Sequence, residues 1–115
     1  MTKLEQGDVY FVEFGPSKGH EYEKSRPAII LTTHSNLKIQ NIITCVPLSS
    51  RLDNRSPDDI LINKDGLNNL FTDSIIKMRH LTACDPALRL RKYIGKVAPD
   101  TLREIKQILR RMFLL

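Results

Sequence analysis

The sequence predicts a mainly β protein with a C-terminal α-helix, and three observations predict it. Short runs rich in Val, Ile, Tyr and Phe recur through the first hundred residues, each bounded by Gly, Pro, Asn or Asp. Two of them, Ala28–Thr33 and Ile42–Leu48, are apolar on successive residues, as in strands covered on both faces. Only at the end does the period change: Leu102, Ile105, Ile108, Leu109 and Met112 recur at helical spacing.

Taken in order, Asp8-Val9-Tyr10 through Phe14 reads as a first strand, stopped by Gly15-Pro16. Residues 15–26 are polar and contain both glycine and proline, so they form a long loop rather than a tight turn. Pro27 opens the second strand, where a missing amide proton is tolerated. The third strand ends at Leu48 and gives way to a polar loop from Ser49 to Pro57. Ile60-Leu61-Ile62 is a short strand, Lys64-Asp65-Gly66 a turn, Asp73–Leu81 a further strand, and Tyr93–Val97 another. Pro99 then precedes a helix whose Thr101 and Glu104 have capping-box spacing, with Arg103, Lys106, Arg110 and Arg111 on its outer side. Met112-Phe113-Leu114-Leu115 leaves more apolar surface than one small domain buries, which predicts a homodimer contact near this end.

A chain of 115 residues supports one core, so residues 1–115 are expected to form a single domain. No stretch reaches the roughly 18 apolar residues that span a bilayer, and the N-terminus lacks a signal-peptide core, which predicts a cytoplasmic protein without membrane contact. Cys45 and Cys84 form no C-x-x-C pair and sit among apolar neighbours, so buried reduced thiols are expected rather than a disulfide or metal site. Charge is uneven. Residues 77–115 hold ten Lys/Arg against three Asp/Glu, whereas residues 1–76 hold eight against ten, within an overall +5. A concentrated basic region favours polyanions such as RNA, DNA or an acidic polypeptide; the plain alternative is a solvated helix and strand edge.

Three polar signatures flank the apolar runs: Gly19-His20-Glu21, Ser25-Arg26-Pro27 and Pro47-Leu48-Ser49-Ser50. Together they offer an acid–base pair, a permanent cation and two hydroxyls for a site of phosphate chemistry. A planar guanidinium bridges two phosphate oxygens and stabilises charge as it gathers there, which suits Arg26. The competing structural use of Arg26 is an ion pair with Glu21 or Glu23. An imidazole titrates near neutral pH, so His20 and Glu21 compete for proton transfer, with His34 and His80 available by composition. Ser49 and Ser50 can donate to a phosphate or merely cap the turn after the third strand.

These residues, in this order and spacing, resemble the MazF/PemK family of toxin endoribonucleases. The resemblance runs from Gly7-Asp8-Val9-Tyr10 through Pro16-Ser17-Lys18-Gly19-His20-Glu21, Arg26-Pro27-Ala28-Ile29-Ile30-Leu31 and Cys45-Val46-Pro47-Leu48-Ser49-Ser50 to Gly95-Lys96-Val97-Ala98-Pro99-Asp100. It implies a small Src-homology-3-type (CcdB/MazF/PemK-like) β-barrel, acting as a homodimer that cuts single-stranded RNA without a metal or other cofactor. It further implies a 2′,3′-cyclic phosphate product and neutralisation by a cognate antitoxin. The family's catalytic arginine and hydroxyl fall on Arg26 and Ser49, with Glu21 and His20 also at its site. Many members carry threonine at Ser49, and some carry an arginine and an acidic residue where this chain offers Lys77 and Arg79.

Under this resemblance Lys18, Lys24, Ser50, Arg51, Arg55, Lys77 and Arg79 are candidate RNA contacts, and Tyr22 is the stacking candidate, in a chain with seven aromatic residues and no tryptophan. The antitoxin is expected to bring an acidic, partly apolar segment. Two other functions fit the same features: a CcdB-like DNA gyrase poison, which needs no catalytic arginine, and a nucleic-acid-binding barrel that does not cleave.

Overall fold

The computed structural model describes residues 3–15, 25–33, 35–36 and 42–115. Along the chain lie β1 (Lys3–Leu4), β2 (Asp8–Glu13), β3 (Ser25–Ile30), β4 (Ser35–Asn36), β5 (Ile43–Ser49), β6 (Ile60–Ile62), β7 (Ser74–Ile76), a 3-10 turn (Met78–His80), β8 (Thr82–Cys84), α1 (Pro86–Arg89), β9 (Leu90–Lys96) and α2 (Pro99–Phe113). The described residues form a seven-stranded antiparallel sheet ordered β6-β7-β5-β3-β2-β9, with β8 also on β5, beside a two-stranded β1–β4 pair. The predicted mainly β fold with its C-terminal helix is therefore present, and strand pairing leaves the barrel open between β6 and β9 among these residues.

The unbroken apolar runs of β3 and β5 are explained by two cores. Alternate side chains enter opposite faces of a strand. Val9, Ile29, Val46 and Leu48 enter a core with Ile60, Ile62, Ile76, Met78 and Val97, packed by Leu102, Ile105, Ile108, Leu109 and Met112 of α2. Tyr10, Val12, Ala28, Ile30 and Cys45 enter the other, with Leu4 and Ile43, packed by Phe14, Cys84 and Leu90. Both cysteines are free thiols; Cys45 is buried and Cys84 half-buried. A hydrogen bond with Cys84, then burial, pushes the Cys45 thiol up.

Four details differ from expectation. The second strand begins at Ser25, so Pro27 is its third residue; the missing N–H is accommodated because pairing with β5 begins only at Ala28. The strand expected over Asp73–Leu81 stops at Ile76, where Lys77 donates its backbone N–H to Pro47 and the chain turns into the 3-10 segment. The short helix α1 has no counterpart among the predicted elements; Asp85 caps it by accepting from the Ala87 N–H at 2.9 Å, with Pro86 at its first position. The Thr101–Glu104 capping box is not formed: Pro99 already occupies the first helical turn and Ala98 is the residue before it. Asp100 in the first turn and Arg110 and Arg111 in the last complement the helix dipole. At its end Phe113, Leu114 and Leu115 are exposed. Among the described residues no helix is long and apolar enough to cross a membrane.

Candidate active site

Ala28 of β3 faces Pro47 of β5 in antiparallel register, so two further residues along each strand are Arg26 and Ser49. Arg26 faces Val12 on β2, and Ser49 faces Ile75 on β7. The registers of four strands thus bring the predicted cation and hydroxyl pair to one end of the sheet. That end opens into a cleft of about 800 Å³. Its apolar floor is Phe11, Pro27, Leu48, Leu70 and Ile94; Ser25, Ser50, Thr72 and Ser74 supply hydroxyls, and Asn69 an amide. Arg26 and Lys92 are its charged lining, and no carboxylate lines it among the described residues.

Ser50 is exposed and lines this cleft, whereas Ser49 does not line it. Ser49 is buried, and its Oγ accepts from the Arg51 N–H at 3.2 Å, the turn-capping use weighed from the sequence. His20, Glu21, Lys18, Tyr22 and Lys24 lie outside the described residues, as does His34. Among the described residues no group of three or more His, Cys, Asp or Glu could hold a metal ion.

The proposed backbone contacts divide by environment. Lys77 must be corrected: its side chain is buried, with Nζ 2.6 Å from Asp59 Oδ2 and 2.7 Å from the Asn54 carbonyl, so it cannot reach RNA at the surface. Asp59 Oδ2 also accepts from the Ser56 N–H. Lys77 therefore serves the polar loop after β5 from below. Arg79 is exposed but bonds Asp58 at 2.6 Å, and Arg111 of α2 bonds the other oxygen of the same carboxylate at 2.9 Å. These two guanidiniums hold the Asp58 carboxyl below its ordinary range, Arg111 first and Arg79 second. Arg51 is exposed and 3.9 Å from Asp53; Arg55 donates to the Asp59 carbonyl at 3.4 Å. Burial, then the Lys77 ammonium, lowers His80, which favours its neutral imidazole.

Sequence reasoning missed the opposite wall of the cleft, built by Asn69–Thr72 and by Lys92, Tyr93 and Ile94 of β9. The available signal was Phe71, a lone aromatic between Asn68-Asn69-Leu70 and Thr72-Asp73.

Residues 5–113 match the model of the PemK-like, MazF-like toxins of type II toxin–antitoxin systems. A curated relative, endoribonuclease PemK of Escherichia coli, is 22% identical over 104 residues, covering 90% of this chain and 77% of its own. Among solved structures, MazF of Deinococcus radiodurans superposes with a TM-score of 0.83 at 19% identity over the whole of both chains. An endoribonuclease in complex with its cognate antitoxin, from a mycobacterial species, gives 0.71 at 19% identity over 100% of this chain and 97% of that one.

Proposed function

The chain belongs to the PemK-like, MazF-like toxin family of type II toxin–antitoxin systems, and from that premise we propose that it is a sequence-selective endoribonuclease cutting single-stranded RNA. The observation that carries this is the cleft at the β3–β5 end, where Arg26 and Lys92 supply charge, Ser25 and Ser50 supply hydroxyls, and no described lining residue is acidic. A polyanion enters such a cleft without meeting like charge. The PemK relative, named an endoribonuclease, supports the same activity.

The reaction is attack of a ribose 2′-hydroxyl on the adjacent phosphorus, leaving a 2′,3′-cyclic phosphate and a 5′-hydroxyl, with no metal required. The 2′-oxygen loses its proton as the P–O2′ bond forms, and the leaving 5′-oxygen gains one as the P–O5′ bond breaks. His20 and Glu21 remain the competing residues for these transfers. The Arg26 guanidinium bridges the non-bridging oxygens as charge builds on them. Ser49 is the proposed catalytic hydroxyl, its Oγ accepting from the Arg51 N–H while its O–H donates to the phosphate, and Ser50, which lines the cleft, is a second proposed contact. Arg51, Arg55 and Arg79, all exposed, are proposed as further contacts for the RNA backbone outside the cleft lining.

Neutralisation is proposed to come from an antitoxin whose acidic, partly apolar segment covers the basic cleft. The protein is proposed to act as a homodimer, supported by the exposed Phe113, Leu114 and Leu115. The test is incubation of a long single-stranded RNA in EDTA with the wild type and with Arg26→Ala, followed by mapping of fragment ends. Discrete cuts ending in cyclic phosphate and absent from the variant are expected. Intact RNA with a folded wild type would overturn the proposal.

A further inference from the structure

We propose that Phe71 is a stacking platform for one unpaired nucleobase of the RNA, carried on a fixed turn at the cleft; this rests on the ribonuclease function above. Phe71 is 96% exposed, although it follows Leu70, which is buried in the main core. An isolated exposed apolar residue needs no explanation. Here the chain around it is unusually fixed.

Asn68 is 2% exposed and its amide makes three bonds: Oδ1 accepts from the Asp65 and Leu70 N–H groups, and Nδ2 donates to the Asn63 carbonyl. Asp65 Oδ1 accepts from the Leu67 and Asn68 N–H groups. Asn69 takes a left-handed conformation, φ 55°, which asparagine tolerates, and its Nδ2 donates to the Ile94 carbonyl of β9 at 3.0 Å. The Lys96 N–H donates to the Leu67 carbonyl at 3.0 Å. Gly95 permits this approach, since a Cβ there would lie 2.5 Å from the Leu67 carbonyl oxygen. A turn clamped this firmly, with Leu70 as its anchor, fixes the backbone from which the exposed Phe71 ring projects. Only the two side-chain torsions of the ring are then left to order on binding.

The occupant follows from what surrounds the ring. Phe71 lines the same cleft as Arg26 and Lys92, so a ligand there must have an anionic part and an aromatic face. Thr72 and Asn69 stand beside it as polar groups for a base edge. An unpaired nucleotide fits: its base stacks on the ring and its phosphate meets the cations. Stacking accepts any base, so Phe71 contributes affinity at one position, while the neighbouring polar groups discriminate.

The test uses a short oligoribonucleotide spanning a cut mapped with the wild type, with each base in turn replaced by an abasic nucleotide. Phe71→Ala should raise KM about five- to 150-fold while leaving kcat within a few-fold. Phe71→Trp should restore KM, and Phe71→Leu should not. At one position the abasic penalty seen with the wild type should vanish in Phe71→Ala. An unchanged KM, or abasic penalties that persist at every position, would overturn the proposal. So would a change from dimer to monomer in sedimentation of Phe71→Ala, which would assign the ring to a contact between copies. If the wild type cut no RNA, the ribonuclease function would fall; binding of the same oligonucleotides by wild type and Phe71→Ala would then decide the stacking role separately.

Discussion

Lys77 Nζ lies 2.6 Å from Asp59 Oδ2, and both side chains are almost wholly removed from solvent. The pair joins the turn after β7 to the loop between β5 and β6, and the Asn54 carbonyl and Ser56 N–H complete its hydrogen bonding. A lysine that sequence alone offers as an RNA contact is thus an internal strut for the loop that begins at Ser50.

Removing one member of a buried pair leaves the other charge uncompensated, at a cost of about 3–5 kcal/mol. Lys77→Ala should therefore lower the denaturation midpoint sharply, and Asp59→Ala should do so comparably. The double change to apolar residues of similar volume, Lys77→Met with Asp59→Leu, should recover much of the loss. Chemical denaturation of the three variants checks this, and equal losses in the single and double variants would contradict it.

Asp58 receives Arg79 and Arg111 on its two carboxylate oxygens, tying the end of α2 to the 3-10 turn and the β5–β6 loop. Its pKa is lowered on folding, first by the Arg111 hydrogen bond and then by that from Arg79. A carboxyl depressed in the folded state adds stability that is fully present above its unfolded pKa of about 3.9 and fades as pH falls through the folded value. Asp58→Asn should accordingly melt below the wild type at pH 7. The gap should narrow as the pH is taken below about 4. Thermal melts across that range measure it, and a gap independent of pH would assign the loss to packing instead.

Gly95 faces the backbone of the turn that carries Phe71, and a Cβ there would stand 2.5 Å from the Leu67 oxygen and 2.6 Å from that of Asn68. Neither oxygen belongs to a side chain that can swing aside. Gly95→Ala should force the turn from β9, at about 1–3 kcal/mol, typical of overpacking. Loss of hydrogen-exchange protection at the Lys96 N–H, which donates to the Leu67 carbonyl, would report the displacement directly.

Much of the frame was legible in the sequence because burial writes itself into periodicity. Successive apolar residues in β3 and β5 announced strands with a core on each face, and the change of period near residue 100 announced α2. Arg26 was legible through Pro27 and the run that follows. The 67–72 wall of the cleft was not, because its form depends on side-chain amides bonding backbone groups and on a close approach at Gly95. The contacts that tie this wall to β9, from Asn69 to Ile94 and at Gly95, join residues 25 or more positions apart and leave no local pattern. Lys77 was misread for the related reason that a lysine's type predicts exposure and only its partner, Asp59, reveals burial.

The proton-transfer step yields the sharpest separation of roles. A donor aimed at charge that develops in the transition state is worth about 10²–10³ in kcat when removed, so Arg26→Ala should lose at least that while retaining the wild-type fold. Arg26→Lys should recover little, because an ammonium cannot bridge two phosphate oxygens as the planar guanidinium does. A proton-transfer residue behaves differently: its removal changes the shape of the pH–rate profile as well as the height. If His20 carries the proton, His20→Ala should erase the limb that titrates near its reference pKa of about 6.5, while Glu21→Gln should leave that limb in place. A profile unchanged in an otherwise folded His20→Ala variant would remove His20 from the step and pass it to Glu21. Arg26→Ala provides the control, since losing a charge stabiliser lowers the rate at every pH and leaves both limbs present, displaced only upward by the loss of a neighbouring cation.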